Sequence, residues 1–458
     1  MLNQVKIKFD QGTLVTSELY PGLESNHYFQ YDERTKEYRA KACHYREIIL
    51  NLSENSVPYS DEAAQYKKLD LSLSKPIIPR KHQEEALKAW MKKRQGVVVL
   101  PTGAGKTILA ILAMSQVKRS TLVVVPTIDL MNQWADVLSG FFKVKIGCLG
   151  GGEKSYEEVL VSTYDSARLM IESRGASFGL LIVDECHHLP SEQNRFLAEA
   201  SLAPFRLGLS ATVERQDGAE ELLYELLGPK VYEARITDMV SKVLAPYDVV
   251  RVSVNLTDEE AQEYQDCRKL YTSFLRQNRI SFSQAGAWQY FIMKSNQSAH
   301  GRKAFEAYHR QKKIPQWAHE KFKALWQILN EHSHDSLIVF TDDNQVAYRI
   351  AHMFFLAVIT HKTKAKERKK LLESFRSGSL KVLVTSRVLN EGVDVPEASI
   401  GVVFSGTGAV REHVQRLGRI LRNTPGKRAI LYEMVTSDTN EQYVNERRRQ
   451  HHAYQESP

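Results

Sequence analysis

The stretch Leu100-Pro101-Thr102-Gly103-Ala104-Gly105-Lys106-Thr107 carries two glycines, a lysine and threonine hydroxyls at a spacing that suits a polyphosphate. Glycine lets backbone N–H groups approach phosphate oxygens, a lysine at position 106 reaches β- and γ-phosphates, and the Thr107 hydroxyl can ligate Mg²⁺. The strict pattern G-x-x-x-x-G-K-[ST] asks for glycine where Leu100 stands, so the match is to a looser form. Further on, Leu181-Ile182-Val183-Asp184-Glu185-Cys186-His187 ends an apolar run in two adjacent carboxylates. Asp184 is suited to hold the magnesium, usually through water, and Glu185 to orient and deprotonate an attacking water. Two acids at a strand end are common on solvated surfaces. Preceded by a phosphate loop, they describe hydrolysis of a nucleoside triphosphate.

Near the other end, Gln415-Arg416-Leu417-Gly418-Arg419-Ile420-Leu421-Arg422 presents three guanidiniums at i, i+3 and i+6. Arg419 and Arg422, one helical turn apart, could stabilise charge developing on a γ-phosphoryl group, provided the chain folds back on itself. The alternative is a solvated helix face. Between these motifs, the segment from Thr385 and Ser386 to Pro396 leaves an apolar run and turns through Gly392. It offers hydroxyl and backbone donors to a phosphate strand, with Asp394 on the nucleotide side. His187 and His188 lack a third ligand at useful spacing, so His187 is read as a hydrogen-bonding coupler rather than a metal ligand. The hydroxyls of Ser210 and Thr212 would link it to the carboxylate loop.

Positioning these groups requires parallel strands. Val97–Leu100, Leu122–Val125 and Leu180–Val183 are short apolar runs bounded by polar residues, and a second series follows at 337–340, 382–384, 401–404 and 429–432. Helical segments at 84–93, 128–138, 344–355 and 365–376 separate several of them, and such alternation, twice over, implies two α/β sheets. Residues 1–72 differ, opening on the alternating Val5-Lys6-Ile7-Lys8-Phe9, and read as a small α+β unit joined by the linker Ser74–Pro79. The expected order is an N-terminal unit 1–72, an α/β lobe 73–234, a largely helical basic insertion 235–315, a second lobe 316–440 and a basic tail 441–458.

The net charge of +8 permits a polyanionic partner, and its distribution is more telling than its size. Residues 1–75 hold ten Lys+Arg against eleven Asp+Glu, whereas 265–325 hold twelve against three, interleaved with ten aromatics including Tyr271, Phe274, Phe282, Trp288 and Tyr290. This mixture suits phosphate contact and base stacking; the alternative is a helical core whose charges are solvated. Four scattered cysteines without C-x-x-C spacing suggest neither a zinc site nor a disulfide framework. No leader-like start and no apolar run of membrane-spanning length are present, so a cytoplasmic protein is expected, with no membrane partner.

On these motifs the chain resembles superfamily 2 helicases, and more narrowly the XPB-type helicases of nucleotide-excision repair and transcription initiation. The resemblance covers nearly the whole length. It implies two tandem RecA-like parallel-sheet domains, a small α+β damage-recognition-like domain at the N-terminus and a helical thumb-like insertion. It implies ATP and Mg²⁺ as cofactors, with Arg80 and Gln83 on the adenine side, Thr102 to Thr107, Asp394 and Gln415 around the nucleotide, and Arg419 and Arg422 closing the site. Val123 to Trp134, especially Pro126 and Thr127, and Val161 to Asp165, with Thr163 and Tyr164, look like the motifs that grip one strand's backbone. Arg215-Gln216-Asp217 is similar to the family's Arg-Glu-Asp element at the strand junction, with Gln216 in place of the acid. The implied protein is a monomeric motor moving 3′ to 5′ on single-stranded, forked or damaged DNA, with a nuclease as a possible associate. A duplex translocase that does not separate strands, an ATP-regulated DNA-binding protein that marks sites for that nuclease, and action on RNA are the alternatives.

Overall fold

In the computed structural model the described residues are 4–101, 103–213, 218, 220–234, 247–282, 284, 286–386, 398–405 and 429–442. They fall into two compact units that divide after Asp238.

The first unit opens on a five-stranded sheet in the order Gln30–Asp32, Glu37–Lys41, Thr13–Thr16, Val5–Asp10 and Tyr59–Asp61. The Val5-Lys6-Ile7-Lys8 alternation turns Val5 and Ile7 inward against the helix Tyr45–Glu54, whose Tyr45, Ile48 and Leu52 complete a small core. That core also takes in Ala176 and Leu202 from the following lobe. Lys41 pairs with Glu199 and Lys67 with Glu158 across the same junction. At Gly12, in the left-handed region at φ 78°, an added Cβ would lie 2.8 Å from Ala200 Cβ, so the turn of the first hairpin seats directly on the lobe. The small unit is thus packed onto the lobe, and residues 70–80, without helix or strand, connect them.

The lobe itself is an eight-stranded sheet in the order Lys230–Glu233, Gln95–Val99, Phe205–Ser210, Leu180–Asp184, Thr121–Val125, Val159–Thr163, Ile146–Gly150 and Glu153–Lys154. Every neighbouring pair is parallel except the last. The central strands are buried on both faces, which is why they read as continuous Val, Ile and Leu runs. Parallel strands put all their carboxyl ends on one edge, and the loops at that edge carry the motifs.

The second unit has a six-stranded, all-parallel sheet in the order Tyr247–Val254, Ala429–Thr436, Ile400–Val403, Leu337–Phe340, Val382–Thr385 and Ala357–Ile359. One departure from the expected boundaries is informative. Tyr247–Val254 lies inside the segment read as helical, yet its sequence YDVVRVSV is a β-branched run that pairs in parallel with Ala429–Thr436 as the edge of this sheet. Among the described residues the helical block begins at Asp258, with Asp258–Gln277, Ala287–Asn296 and Ala299–Lys313. It is tied to the second sheet within the same unit: the Asn440 backbone N–H donates to the Tyr264 hydroxyl at 3.0 Å, and Thr436 Oγ1 donates to the Pro315 carbonyl at 3.0 Å. Among the described residues no helix is long and apolar enough to cross a membrane.

Candidate nucleotide site and nucleic-acid interface

The phosphate loop leaves the carboxyl end of Gln95–Val99 and enters the helix Lys106–Val117. Gly103 and Gly105 sit at φ 85° and φ 86°, where side chains are strained, and Gly105 is the helix N-cap. Gly105 also lies close under the Gln83 amide. A Cβ there would lie 2.2 Å from Gln83 Nε2. Leu100, by contrast, is fully buried and uses only its backbone, its carbonyl lying 3.4 Å from Lys106 Nζ and its N–H donating to Ser210 O. The missing first glycine is therefore without structural consequence, because the side chain at 100 points into the core.

Gln83, expected on the adenine side, braces the loop. Its Nε2 donates to the carbonyls of Ala104 and Gly105 at 3.3 and 3.2 Å, and its Oε1 accepts from the backbone N–H of Arg80 at 2.8 Å. His82, which the motif reading passes over, donates from Nε2 to the Ala104 carbonyl at 2.8 Å. Both lie in the first turn of the helix Lys81–Met91, which begins beside the loop.

Asp184 ends its strand, and Glu185 follows at φ 46°, ψ 50°. A non-glycine residue held left-handed costs on the order of 1 kcal/mol or more and survives only where its surroundings over-determine it. They do so here: Tyr164 Oη donates to the carbonyls of both Asp184 and Glu185 at 3.1 and 3.3 Å, and the Glu185 N–H donates to Asp184 Oδ1 at 3.0 Å. Lys106 Nζ stands 3.7 Å from Glu185 Oε1, so the lysine and the candidate base are paired on the strand edge. Burial first, and the neighbouring Glu185 carboxylate second, push the Asp184 carboxyl above the usual range, while Lys106 and the hydrogen bond from Trp134 pull it down. Two buried carboxylates beside one lysine leave room for more positive charge. With the Thr107 hydroxyl on the first helical turn, the donors are all oxygens, a set that fits a hard divalent cation such as Mg²⁺.

His187 Nδ1 lies 2.9 Å from Ser210 Oγ and 3.5 Å from Glu185 Oε2, and Ser210 Oγ in turn donates to the Thr212 carbonyl. The expected link between carboxylate loop, histidine and Ser-Ala-Thr segment is thus one connected set, with Thr212 joining through its backbone.

Thr127 and Thr163 close the ends of the adjacent strands Thr121–Val125 and Val159–Thr163, in register at Val125 and Thr163. Each is a helix N-cap, Thr127 Oγ1 accepting from the Leu130 N–H and Thr163 Oγ1 from the Ser166 N–H. With Pro126 they put two helix N-termini side by side on one edge, where the backbone N–H groups suit phosphate, although the Thr163 side chain is buried and donates to Ser166 Oγ. Tyr164 is different. It was expected to face the strand, but it is buried and its hydroxyl holds the carboxylate loop. An aromatic next to an N-cap reads as exposed, whereas the first helical turn here folds back under its own sheet.

In the second unit, Thr385 and Ser386 end the strand Val382–Thr385 as expected, but both are buried and engaged. Thr385 Oγ1 donates to the Ser386 carbonyl, and the Ser386 N–H donates to Ile359 O. In the basic helical block, Phe274 and Phe291 form the core with Tyr271, so much of the aromatic signal is packing; Phe282, Trp288 and Tyr290 remain exposed. Thr102, Arg215, Gln216, Asp217, Asp394, Gln415, Arg419 and Arg422 lie outside the described residues.

A parallel sheet whose carboxyl edge carries a glycine loop, a lysine, a strand-end Asp-Glu pair and a bridging histidine defines a phosphate-loop hydrolase of RecA-like architecture. The comparisons specify it further. Residues 7–63 match the Xeroderma pigmentosum group B helicase damage recognition domain, 76–215 the Type III restriction enzyme res subunit family, and 302–456 the ERCC3/RAD25/XPB C-terminal helicase family. The chain is 38% identical over 446 residues to the "DNA 3'-5' translocase XPB2" of Sulfurisphaera tokodaii, covering 97% of this chain and all of that one. It is 31% identical to the "DNA 3'-5' helicase XPB" of Mycobacterium tuberculosis, covering 81% of this chain and 63% of that protein. Among solved structures, the helicase domain of Pyrococcus furiosus Hef is similar with a TM-score of 0.51 at 19% identity, over 80% of this chain and 97% of that one. Saccharomyces cerevisiae Dbp5 bound to RNA and ADP BeF3 is similar with a TM-score of 0.57 at 16% identity, over 82% of this chain and 88% of that one. These last two concern the fold. The chain belongs to the XPB family of superfamily 2 helicases.

Proposed function

We propose that this protein is an ATP-dependent DNA translocase and helicase of the XPB type, moving 3′ to 5′ and serving DNA repair. The observation that carries the reading is the placement of Lys106 and Glu185 3.7 Å apart on the strand edge of a chain of this family. Lys106 and the loop N–H groups would hold the β- and γ-phosphates, Thr107 and Asp184 would hold Mg²⁺, and Glu185 would take the proton of the attacking water. When bound, Mg²⁺ neutralises charge on the phosphate oxygens. Arg419 and Arg422, carried by the second lobe, would stabilise charge developing on the γ-phosphoryl group, with Asp394 and Gln415 beside the nucleotide. Thr127 and Thr163 would grip a DNA backbone through helix N-termini, a grip that is salt-dependent and nearly blind to sequence. The small N-terminal unit would contact DNA lesions from a fixed seat on the first lobe, and the basic helices would follow the duplex.

ATPase rates with single-stranded DNA, duplex, a 3′-tailed fork and RNA, measured side by side, test this. Stimulation by the DNA substrates is expected; rates that no nucleic acid raises would refute it. A second reading, duplex translocation without strand separation, is favoured by Gln216 at the position where the family's junction element carries an acid. Fork unwinding decides between them: displacement of a labelled strand supports the helicase, and triplex displacement without it supports the translocase.

A further inference from the structure

The metal-side carboxylate is held by the last residue of the stretch Val123 to Trp134, which the resemblance assigns only to the grip on a strand's backbone. Trp134 Nε1–H donates to Asp184 Oδ2 at 2.9 Å, with both side chains buried. The other oxygen, Oδ1, accepts from the Glu185 N–H, so the carboxylate plane is fixed from two sides: by its own loop and by a separate helix. That helix, Ile128–Phe141, buries the stripe Met131, Trp134 and Leu138 against the sheet. Its N-cap is Thr127, on the edge read above as the DNA-backbone grip. Thr127 and Trp134 are two turns apart, roughly 10 Å at 1.5 Å per residue, within one packed helix that moves as a unit.

We propose that Trp134 is a positioning residue. Its N–H orients the Asp184 carboxylate toward the nucleotide-bound cation, and its helix transmits displacement at Thr127, caused by DNA, to that carboxylate. The inference rests on the reading of Asp184 as the Mg²⁺ ligand, and it assigns the link between DNA contact and the ATP site to one hydrogen bond. An indole buried for packing alone would place its N–H on any nearby carbonyl; this one is spent on the carboxylate read as the metal ligand.

The experiment replaces Trp134 with 3-benzothienylalanine, which keeps the ring shape and puts sulfur where the N–H was, and separately makes Trp134→Phe. Binding of a fluorescent ATP analogue is titrated with Mg²⁺, with and without a single-stranded oligonucleotide, and thermal melting reports the fold. Loss of an outer-shell partner costs about 10- to 100-fold in metal affinity. The Mg²⁺ concentration at half-maximal nucleotide binding should therefore rise about 10-fold or more in the isostere, and the shift that DNA causes in the wild-type midpoint should vanish. A midpoint within about twofold of wild type, in an isostere or Phe variant that melts like wild type, overturns the positioning role. A wild-type midpoint that DNA does not move overturns the transmission role. If the positioning result holds while no DNA stimulates the wild-type ATPase, it is the translocase reading that has failed.

Discussion

His187 Nδ1 is 2.9 Å from Ser210 Oγ, joining the loop after one central strand to the end of its neighbour. Because Ser210 Oγ–H donates to the Thr212 carbonyl, the ring nitrogen facing it must carry the proton, which assigns the Nδ1–H tautomer. Ser210→Ala removes the acceptor and leaves a buried N–H to find another partner, at a cost of about 1–3 kcal/mol. ATP binding should persist, while the ATP consumed per base pair travelled should rise several-fold. Parallel ATPase and triplex-displacement assays measure this; an unchanged ratio would remove the coupling role.

Glu185→Gln keeps the side-chain volume and the ion-free contacts of the loop while abolishing the base. General-base catalysis contributes about 10²–10⁴-fold, so turnover should fall by that order while nucleotide binding survives. Lys106→Ala, by contrast, should lose nucleotide affinity itself. Equilibrium binding of a fluorescent nucleotide distinguishes the two, and a Glu185→Gln enzyme that repairs DNA normally without ATPase would sink the motor reading.

Gly105→Ala tests the brace beneath the phosphate loop. The added Cβ would collide with Gln83 Nε2 at 2.2 Å, and φ 86° is unfavourable for alanine. The Gln83 amide must swing off its loop carbonyls and the backbone is strained, so nucleotide affinity should drop and the thermal stabilisation by saturating ATP, which follows RT ln(1 + [L]/Kd), should shrink. Gln83→Ala added to Gly105→Ala relieves the collision but not the backbone strain, and should restore part of the effect.

How far the site could be read from residue types varies with the physics behind each signal. Lys106, Asp184 and Glu185 were legible because phosphate chemistry constrains their spacing along the chain and buried strands announce themselves by apolar runs. The present partners of Trp134, His82 and Tyr164 were not, since they depend on which strands become neighbours: Trp134 reads as the end of a strand-gripping stretch, and only the sheet order brings it to Asp184. The strand Tyr247–Val254 was hidden by the basic, helical stretch that follows it, although its four valines carry the β signal. Gln83 shows a third case, a residue whose position was legible and whose present partners, two loop carbonyls, were not.

In the second unit, Lys321 is fully buried, its Nζ 2.6 Å from Glu441 Oε2 and 3.1 Å from the Phe404 carbonyl. Glu441 is partly exposed and also accepts the Thr436 N–H, so the costly change is the one that strands the buried ammonium, for which breaking a buried pair sets a scale of about 3–5 kcal/mol. Glu441→Gln should lower the unfolding midpoint markedly, Lys321→Met less so, and the two substitutions together should recover most of the loss. Denaturant titration of the four variants in a double-mutant cycle checks the coupling; additive losses would show that the pair contributes little.

His44 makes acid stability a property of the N-terminal seat. Its ring stacks on Tyr28 at 4.0 Å, and burial first, then the Arg206 guanidinium, Lys41 and His27, lower its pKa from 6.5 to about 4, against a smaller upward pull from Glu199. Arg206 is itself buried and donates to the carbonyls of Ala203, Ala198, Leu226 and Ser201, so its charge is fixed beside the ring. The sign follows from proton counting. Between about 4 and 6.5 the unfolded chain binds a proton at His44 that the folded chain refuses, so unfolding gains with acid. The contribution is fully present above about 6.5 and is lost as pH falls toward about 4. His44→Phe keeps the stack and removes the titration, so its melting temperature should decline less than wild type across that window. Melting curves at matched ionic strength measure the difference, and parallel declines in the two proteins would show that His44 titrates alike in both states.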